Sequence, residues 1–187
     1  ALFCVSLIAC GIINNAVLSD KTVVEYSSEE GQFVYFQTHE QNVYVDINGY
    51  NSDPEVVFKN GKTGLDNYVM TELNAYSLKR FEYLSGNMNV SELHLPNPKN
   101  SYESNVFSQI KALANKRKCD IITFDEFYSN RISEQYQIGV FGKENDISEE
   151  MLICVDVADE KIWFLGNGYE NAVKCDTAVV LNGFSGD

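Results

Sequence analysis

An apolar strand that breaks into a polar turn and resumes as a helix constrains this chain most. It runs Gly-Leu-Asp-Asn-Tyr-Val-Met-Thr-Glu-Leu-Asn-Ala-Tyr-Ser-Leu-Lys-Arg-Phe-Glu-Tyr-Leu over residues 64–84. Tyr68-Val69-Met70 predicts a strand, Thr71 to Ser77 a turn, and Leu78, Phe81 and Leu84, three residues apart, a helix. The carboxyl end of a strand and the amino end of the next helix frame a crevice, where α/β proteins commonly place their chemistry. Here the turn offers Thr71, Glu72, Asn74, Tyr76 and Ser77: one carboxylate, no His and no Cys. A metal site needs several such ligands gathered together.

A chain of 187 residues has room for one full-sized domain. Its formal charge of −13 disfavours direct nucleic-acid binding, because a surface that neutralises phosphates is basic. The basic clusters Lys79-Arg80 and Lys116-Arg117-Lys118 read as solvated helix ends. Cys4, Cys10, Cys119, Cys154 and Cys175 show no C-x-x-C spacing, so they frame neither a zinc knuckle nor a thioredoxin motif. The last three lie in or beside apolar runs and read as buried reduced thiols, with a disulfide open to them in an oxidising compartment.

Residues 1–13 carry no charge and are too short to span a bilayer alone. A buried core helix or strand is disfavoured by the polar exit at Asn14, Asn15, Ser19 and Asp20, and two readings remain. In one, residues 1–18 are the end of a transmembrane or signal-anchor segment, and residues 19–187 are the folded domain. In the other, Leu7-Ile8-Ala9-Cys10-Gly11 is a bacterial lipobox and Cys10 a lipidated anchor. Both set the domain beside a membrane.

From Thr22 the pattern turns to strands. Runs at 22–26, 33–37 and 42–47, joined by short polar turns, predict an antiparallel meander. Asn89 to Pro96 predicts a strand with Val90 and Leu93 to Leu95 against the core and His94 pointing away. Tyr102 to Lys116 predicts a helix and Cys119 to Phe124 a strand, hence a βαβ crossover. Runs at 136–141, 151–157, 161–165 and 177–181 predict four more strands, the second and third joined by a tight turn at Ala158-Asp159-Glu160. A short helix is expected around Tyr169 to Val173. The last strand is followed at once by Asn182 to Asp187, so truncation is expected at that end too. His39, beside Glu40, reads as an exposed turn residue.

Several landmarks then fall in a familiar order. Glu30-Gly31-Gln32-Phe33-Val34 stands where a Val-Gly-Gln-Gly-Asp turn would, and Val45-Asp46-Ile47-Asn48-Gly49 where an Ile-Asp-Gly-Gly turn would. Leu65 to Glu72 is in register with Leu-Asp-x-Leu-Val-Leu-Thr-His, the opening of a His-x-His-x-Asp-His metal motif. Leu93-His94-Leu95-Pro96 is similar to a strand that ends in proline, Ile162 to Asn167 to one that ends in Thr-Gly-Asp, and Asp176 to Ser185 to one that ends in His-His-Gly-Ser. This order resembles the metallo-β-lactamase-like domain at the carboxyl end of ComEC-like competence DNA-uptake channels. The resemblance covers nearly the whole chain through degenerate motifs. It implies an α/β fold, a four-layer αββα sandwich, truncated at its carboxyl end and preceded by the end of a transmembrane helix.

The departures bear on function. By the resemblance, the metal-binding positions fall at Glu72, Asn74, Tyr76, Ser77, Asn167 and Asn182, with Gly183 in place of the second residue of the histidine pair. With one carboxylate left in that set, a dinuclear centre has nothing to hold it. The expectation is a non-catalytic, metal-free domain of a bacterial membrane competence protein, with no cofactor, meeting the membrane through its amino-terminal segment and DNA only through a parent channel. Its rivals are a membrane-anchored lipoprotein that binds an extracellular partner and an active metal-dependent nuclease or hydrolase. An active site would have to be built from carboxylates such as Asp46, Asp66, Glu72, Asp125 and Glu126.

Overall fold

The computed structural model of the chain describes residues 21–27, 32–48, 55–125, 127–142, 151–166 and 175–180. The apolar start with its lipobox-like Leu7 to Cys10, the expected helix at Tyr169 to Val173, and Glu126, Asn167, Asn182 and Gly183 lie outside these residues. Among the described residues no helix is long and apolar enough to cross a membrane.

One sheet takes its strands in sequence order: β1 (Val23–Ser27), β2 (Gln32–Gln37), β3 (Asn42–Asn48), β4 (Gly64–Met70), β5 (Asn89–Pro96) and β6 (Asp120–Phe124). β1, β2 and β3 form the expected antiparallel meander. From β3 to β6 each strand runs parallel to the last, and the connections carry α1 (Glu55–Lys59), α2 (Ala75–Asn87) and α3 (Ser101–Arg117). Parallel neighbours need crossovers of one hand, so successive crossovers in one direction set their helices on the same face. Buried side chains of all three helices accordingly share a core with Tyr35, Tyr44, Tyr68, Met70 and Leu93.

The opposite face of that sheet receives a second one, ordered β11 (Thr177–Val180), β10 (Glu160–Leu165), β9 (Leu152–Val157), β8 (Tyr136–Phe141) and β7 (Phe127–Arg131). Val34, Phe36, Val45 and Val69 meet Ile138, Val140, Ile153, Val155 and Phe164 in an apolar cluster between the sheets. The described residues therefore stack as helices, sheet, sheet. The outer helix layer of the expected four-layer sandwich is found over the first sheet, and among the described residues no helix covers the second.

Three sequence expectations change. β4 is seven residues long rather than three, because a central parallel strand is buried on both faces and its polar Asp66 and Asn67 do not interrupt it. β7 and α1 were not expected: Phe127-Tyr128-Ser129-Asn130-Arg131 is broken by polar residues, and α1 is barely more than one turn. His94 does not point away from the core. It lies on the inner face of β5 and is 7% exposed.

Candidate functional site

The turn after β4 is built by its own side chains. Thr71 Oγ1 lies 3.0 and 2.7 Å from the carbonyl oxygens of Asp46 and Ile47, and Thr71 N–H donates to Asp46 O at 3.2 Å. These bonds tie the end of β4 to the end of β3. Leu73 is buried in the core on the helix side. Asn74 then caps α2 in an extended conformation, φ −137° and ψ 177°. Its Oδ1 accepts from the backbone N–H groups of Tyr76 and Ser77, both at 2.9 Å, and its own N–H donates to Ser77 Oγ at 2.7 Å. This is a capping box in which serine takes the usual place of glutamate or glutamine. Asn74 Nδ2 donates to Glu72 Oε2 at 2.7 Å, and Ala75 N–H reaches Tyr102 Oη at 3.2 Å.

Beneath the turn lies a buried ionic cluster that the sequence reading missed. Asp46 Oδ2 accepts from Tyr68 Oη and from Arg80 Nε, each at 2.6 Å, and the Asp46 and Arg80 side chains are both 3% exposed. Arg80 is thus a core residue of α2 and not half of a solvated Lys79-Arg80 helix end. Burial pushes the Asp46 carboxyl up from its ordinary value, against the pull of Arg80 and the hydrogen bond from Tyr68. Burial alone would lower Arg80, but Asp46 and Tyr68 outweigh it and hold the guanidinium above its ordinary range. The two tendencies oppose each other across the pair. Two donors converging on one oxygen at 2.6 Å decide for the ionised pair at neutral pH. Burial, and then the charge of Asp46, raise the Tyr68 phenol, so it stays a donor.

A second polar group sits in the seam between the sheets. His94 Nε2 is 3.0 Å from Asn67 Oδ1 and 3.3 Å from Glu92 Oε2, and its ring meets Tyr128 of the second sheet edge-on, centroids 4.7 Å apart. Both partners of Nε2 are acceptors, so the neutral ring carries its proton there. Burial lowers the His94 pKa from 6.5, and Glu92 pulls it back in part. Gln41 Oε1 accepts from Asn67 Nδ2 at 3.4 Å and from Asn130 Nδ2 at 3.2 Å, which links the first sheet to β7.

The remaining candidates are scattered. Asp66 Oδ2 accepts the Asn42 N–H at the opposite end of β4, and Asp125 accepts from Asn97 Nδ2 at 2.6 Å. His39 is exposed beside Glu40, as expected. Cys119 is buried, and Cys154 and Cys175 are half-buried free thiols. Burial pushes the Cys119 and Cys154 thiols up to about 12, which keeps them protonated at neutral pH.

A dinuclear metal centre, which the resemblance implies, finds a poor donor set in the turn. Glu72 Oε2 is engaged by Asn74, the Asn74 amide and the Ser77 hydroxyl are spent on the helix cap, and Tyr76 is an exposed phenol. The Asp46 carboxylate is committed to Arg80 and Tyr68. Among the described residues no three His, Cys, Asp or Glu side chains are grouped to hold a metal ion. The described part of the turn does not fit such a centre.

Neither a protein-family model nor a curated protein matches the sequence. Among solved structures, the chain is similar to Zn(2+)-bound PqqB from Methylobacterium extorquens, with a TM-score of 0.46 and 7% identity over 71% of this chain and 48% of PqqB. It is also similar to the peroxy diiron species of the chemotaxis sensor ODP, with a TM-score of 0.44 and 12% identity over 79% of this chain and 64% of ODP. The chain spans about half the length of the first and under two thirds of the second. The protein belongs to the mixed α/β class, with two sheets packed face to face and a helical layer on one of them.

Proposed function

We propose that this chain is a metallo-β-lactamase-like domain whose metal-binding turn has become a helix cap, and that it serves as a non-hydrolytic appendage of a bacterial ComEC-like DNA-uptake protein. The observation that carries the reading is the hydrogen-bonded turn Glu72–Asn74–Ser77, at the place where the resemblance puts metal ligands. A ligand turn must leave lone pairs directed at the ion. This one spends those of Asn74 and Ser77 on backbone N–H groups at the start of α2, and one carboxylate oxygen of Glu72 on the Asn74 amide.

Supporting context comes from the landmarks. Asp46 lies near the end of β3, Glu72 just past the end of β4 and Pro96 at the end of β5, as the family's order of motifs requires. The acid-rich composition argues that contact with DNA belongs to other parts of a parent channel. Attachment to the membrane would come through the amino-terminal segment.

Two measurements test this. Dialysis of the purified domain against zinc and against manganese, followed by metal counting, should leave far less than one ion per chain; stoichiometric tight binding, or metal-dependent cleavage of single-stranded DNA lost in Glu72→Ala, overturns the non-catalytic reading. Disruption of the parent gene should abolish uptake of labelled DNA, and undiminished uptake overturns the assignment to a channel.

A further inference from the structure

Helix α1 ends in a cap that uses an asparagine followed by a glycine, each for a separate structural reason. Gly61 has φ 79°, the left-handed conformation that a side chain disfavours. Its N–H donates to Phe58 O at 3.0 Å, and the Lys62 N–H to Val57 O at 3.2 Å. These are the two bonds of a Schellman motif, with glycine at the position that requires it. Asn60, one residue earlier, joins three elements. Its Nδ2 donates to Glu25 Oε2 of β1 and to Val56 O of α1, both at 2.8 Å, and its carbonyl accepts from Gln37 Nε2 of β2 at 3.1 Å. Lys59 Nζ holds the other oxygen of Glu25 at 2.9 Å.

An asparagine before a glycine is chemically labile, because no side chain shields the following backbone nitrogen. That nitrogen, on losing its proton to water, can attack the side-chain carbonyl carbon. A new C–N bond forms, the Cγ–Nδ2 bond breaks, ammonia leaves and a cyclic imide remains. Water opens the imide to aspartate or isoaspartate. The net change is amide plus water to carboxylate plus ammonium, with no oxidant or reductant.

We propose that Asn60 is such a modification site, gated by the cap of α1. With the cap closed, both reacting groups are engaged: the Gly61 N–H with Phe58 O, and Asn60 Nδ2 with Glu25 and Val56. Reaction therefore proceeds from the opened cap. The product keeps the cap open. A carboxylate at position 60 has no donor for Glu25 Oε2 or Val56 O and sets a like charge against Glu25. The Asn60 side-chain tie between α1 and the edge strand β1 is lost irreversibly, leaving the Lys59–Glu25 pair and the ladder to β2 to hold β1.

Peptide mapping by mass spectrometry, after incubation in mildly alkaline buffer at body temperature, reads the conversion at Asn60. It should run at least about tenfold slower in the folded protein than in urea, since native-state reaction follows the population of the open form. Folded Glu25→Ala should accelerate it by roughly threefold to tenfold, the factor that loss of one hydrogen bond allows. Asn60→Asp, the product, should speed hydrogen exchange at the amides of Val23 to Ser27. Equal rates in folded and unfolded protein, no acceleration in Glu25→Ala, or unchanged exchange in β1 of Asn60→Asp would each overturn the proposal. If Asn60→Asp does not fold, the first two rates decide it.

Discussion

The two faces of the first sheet bury polar groups by opposite rules. On the helix side the cluster is ionic: Asp46, Arg80 and Tyr68 converge with charge and hydrogen bonds matched. On the sheet side it is largely neutral: Gln41, Asn67 and Asn130 linked amide to amide, with His94 at the margin and the half-exposed Glu92 its charged neighbour. A helix brings a long side chain such as Arg80 deep into the core with its stem packed on apolar neighbours, so it can meet a strand carboxylate. Two facing sheets leave no room for such a reach, and short amides fill the gap. An ion pair that is broken leaves a charge behind, whereas a broken amide link leaves only an unpaired dipole. The helix side should therefore be the more brittle face.

The largest effect follows from that contrast. Arg80→Ala removes the counter-charge of the buried Asp46 carboxylate, leaves it the Tyr68 hydroxyl as donor, and should cost about 3–5 kcal/mol in urea denaturation. Replacing both partners together, Asp46→Leu with Arg80→Met, should recover most of the loss, because the desolvation cost of both charges disappears with them. If Arg80→Ala costs less than about 1 kcal/mol, the cluster is more hydrated than its geometry implies and the contrast between the faces fails.

On the sheet side the same operation should be milder. Asn67→Ala removes one of two donors to Gln41 Oε1 and the nearer of two acceptors of His94 Nε2, and should cost about 0.5–1.5 kcal/mol, the net range for a hydrogen bond whose partners keep another. A loss as large as that of Arg80→Ala would mean that the two faces are equally brittle.

The neutral seam also has a pH signature. His94 has a folded-state pKa below its ordinary 6.5, so between those values the unfolded chain binds a proton that the folded chain does not. Stability from this group is fully present above about pH 6.5 and is lost as pH falls through 6.5 toward the folded value. Denaturation of wild type and His94→Gln across that window should give a steeper wild-type fall with acidification. The difference in slope is bounded by about 1.4 kcal/mol per pH unit for one proton. Parallel curves would show that His94 is as well solvated folded as unfolded.

What the sequence made legible follows the same division. Apolar, β-branched and aromatic runs bounded by turn chemistry marked the strands of the second sheet from β8 to β11, of which β8, β9 and β10 are antiparallel neighbours and β11 runs parallel to β10. In β5 alternation misled, since a parallel strand covered on both faces buries His94 as well as Leu93 and Leu95, and a period of two no longer sorts inside from outside. Arg80 carried a signal that was overlooked. It lies three and four residues from Ser77 and Leu84, on the buried stripe of α2, and an arginine on such a stripe calls for a buried acid. Asp46, between Val45 and Ile47 in an apolar strand, was that acid. The turn residues Glu72, Asn74 and Ser77 were singled out from the sequence as former ligand positions, but their capping role was not, because it depends on where the helix begins. Asn167 and Asn182 lie outside the described residues.

The smallest effect belongs to the turn itself. Asn74→Ala removes the acceptor for two backbone donors at the start of α2 and the donor to Glu72, and should lower stability by about 1 kcal/mol. Ser77→Ala should cost less alone, since it gives up the return bond from the Asn74 N–H and leaves the Asn74 side chain in place. Because the two bonds close on each other, the double variant should cost less than the sum of the singles. Strict additivity would mean that the box does not act as a unit, and the turn would then be free to offer its side chains to something other than the helix. A capping box that couples in this cycle makes Glu72 a bystander held by Asn74, and Glu72→Ala should then change stability by no more than about 0.5 kcal/mol.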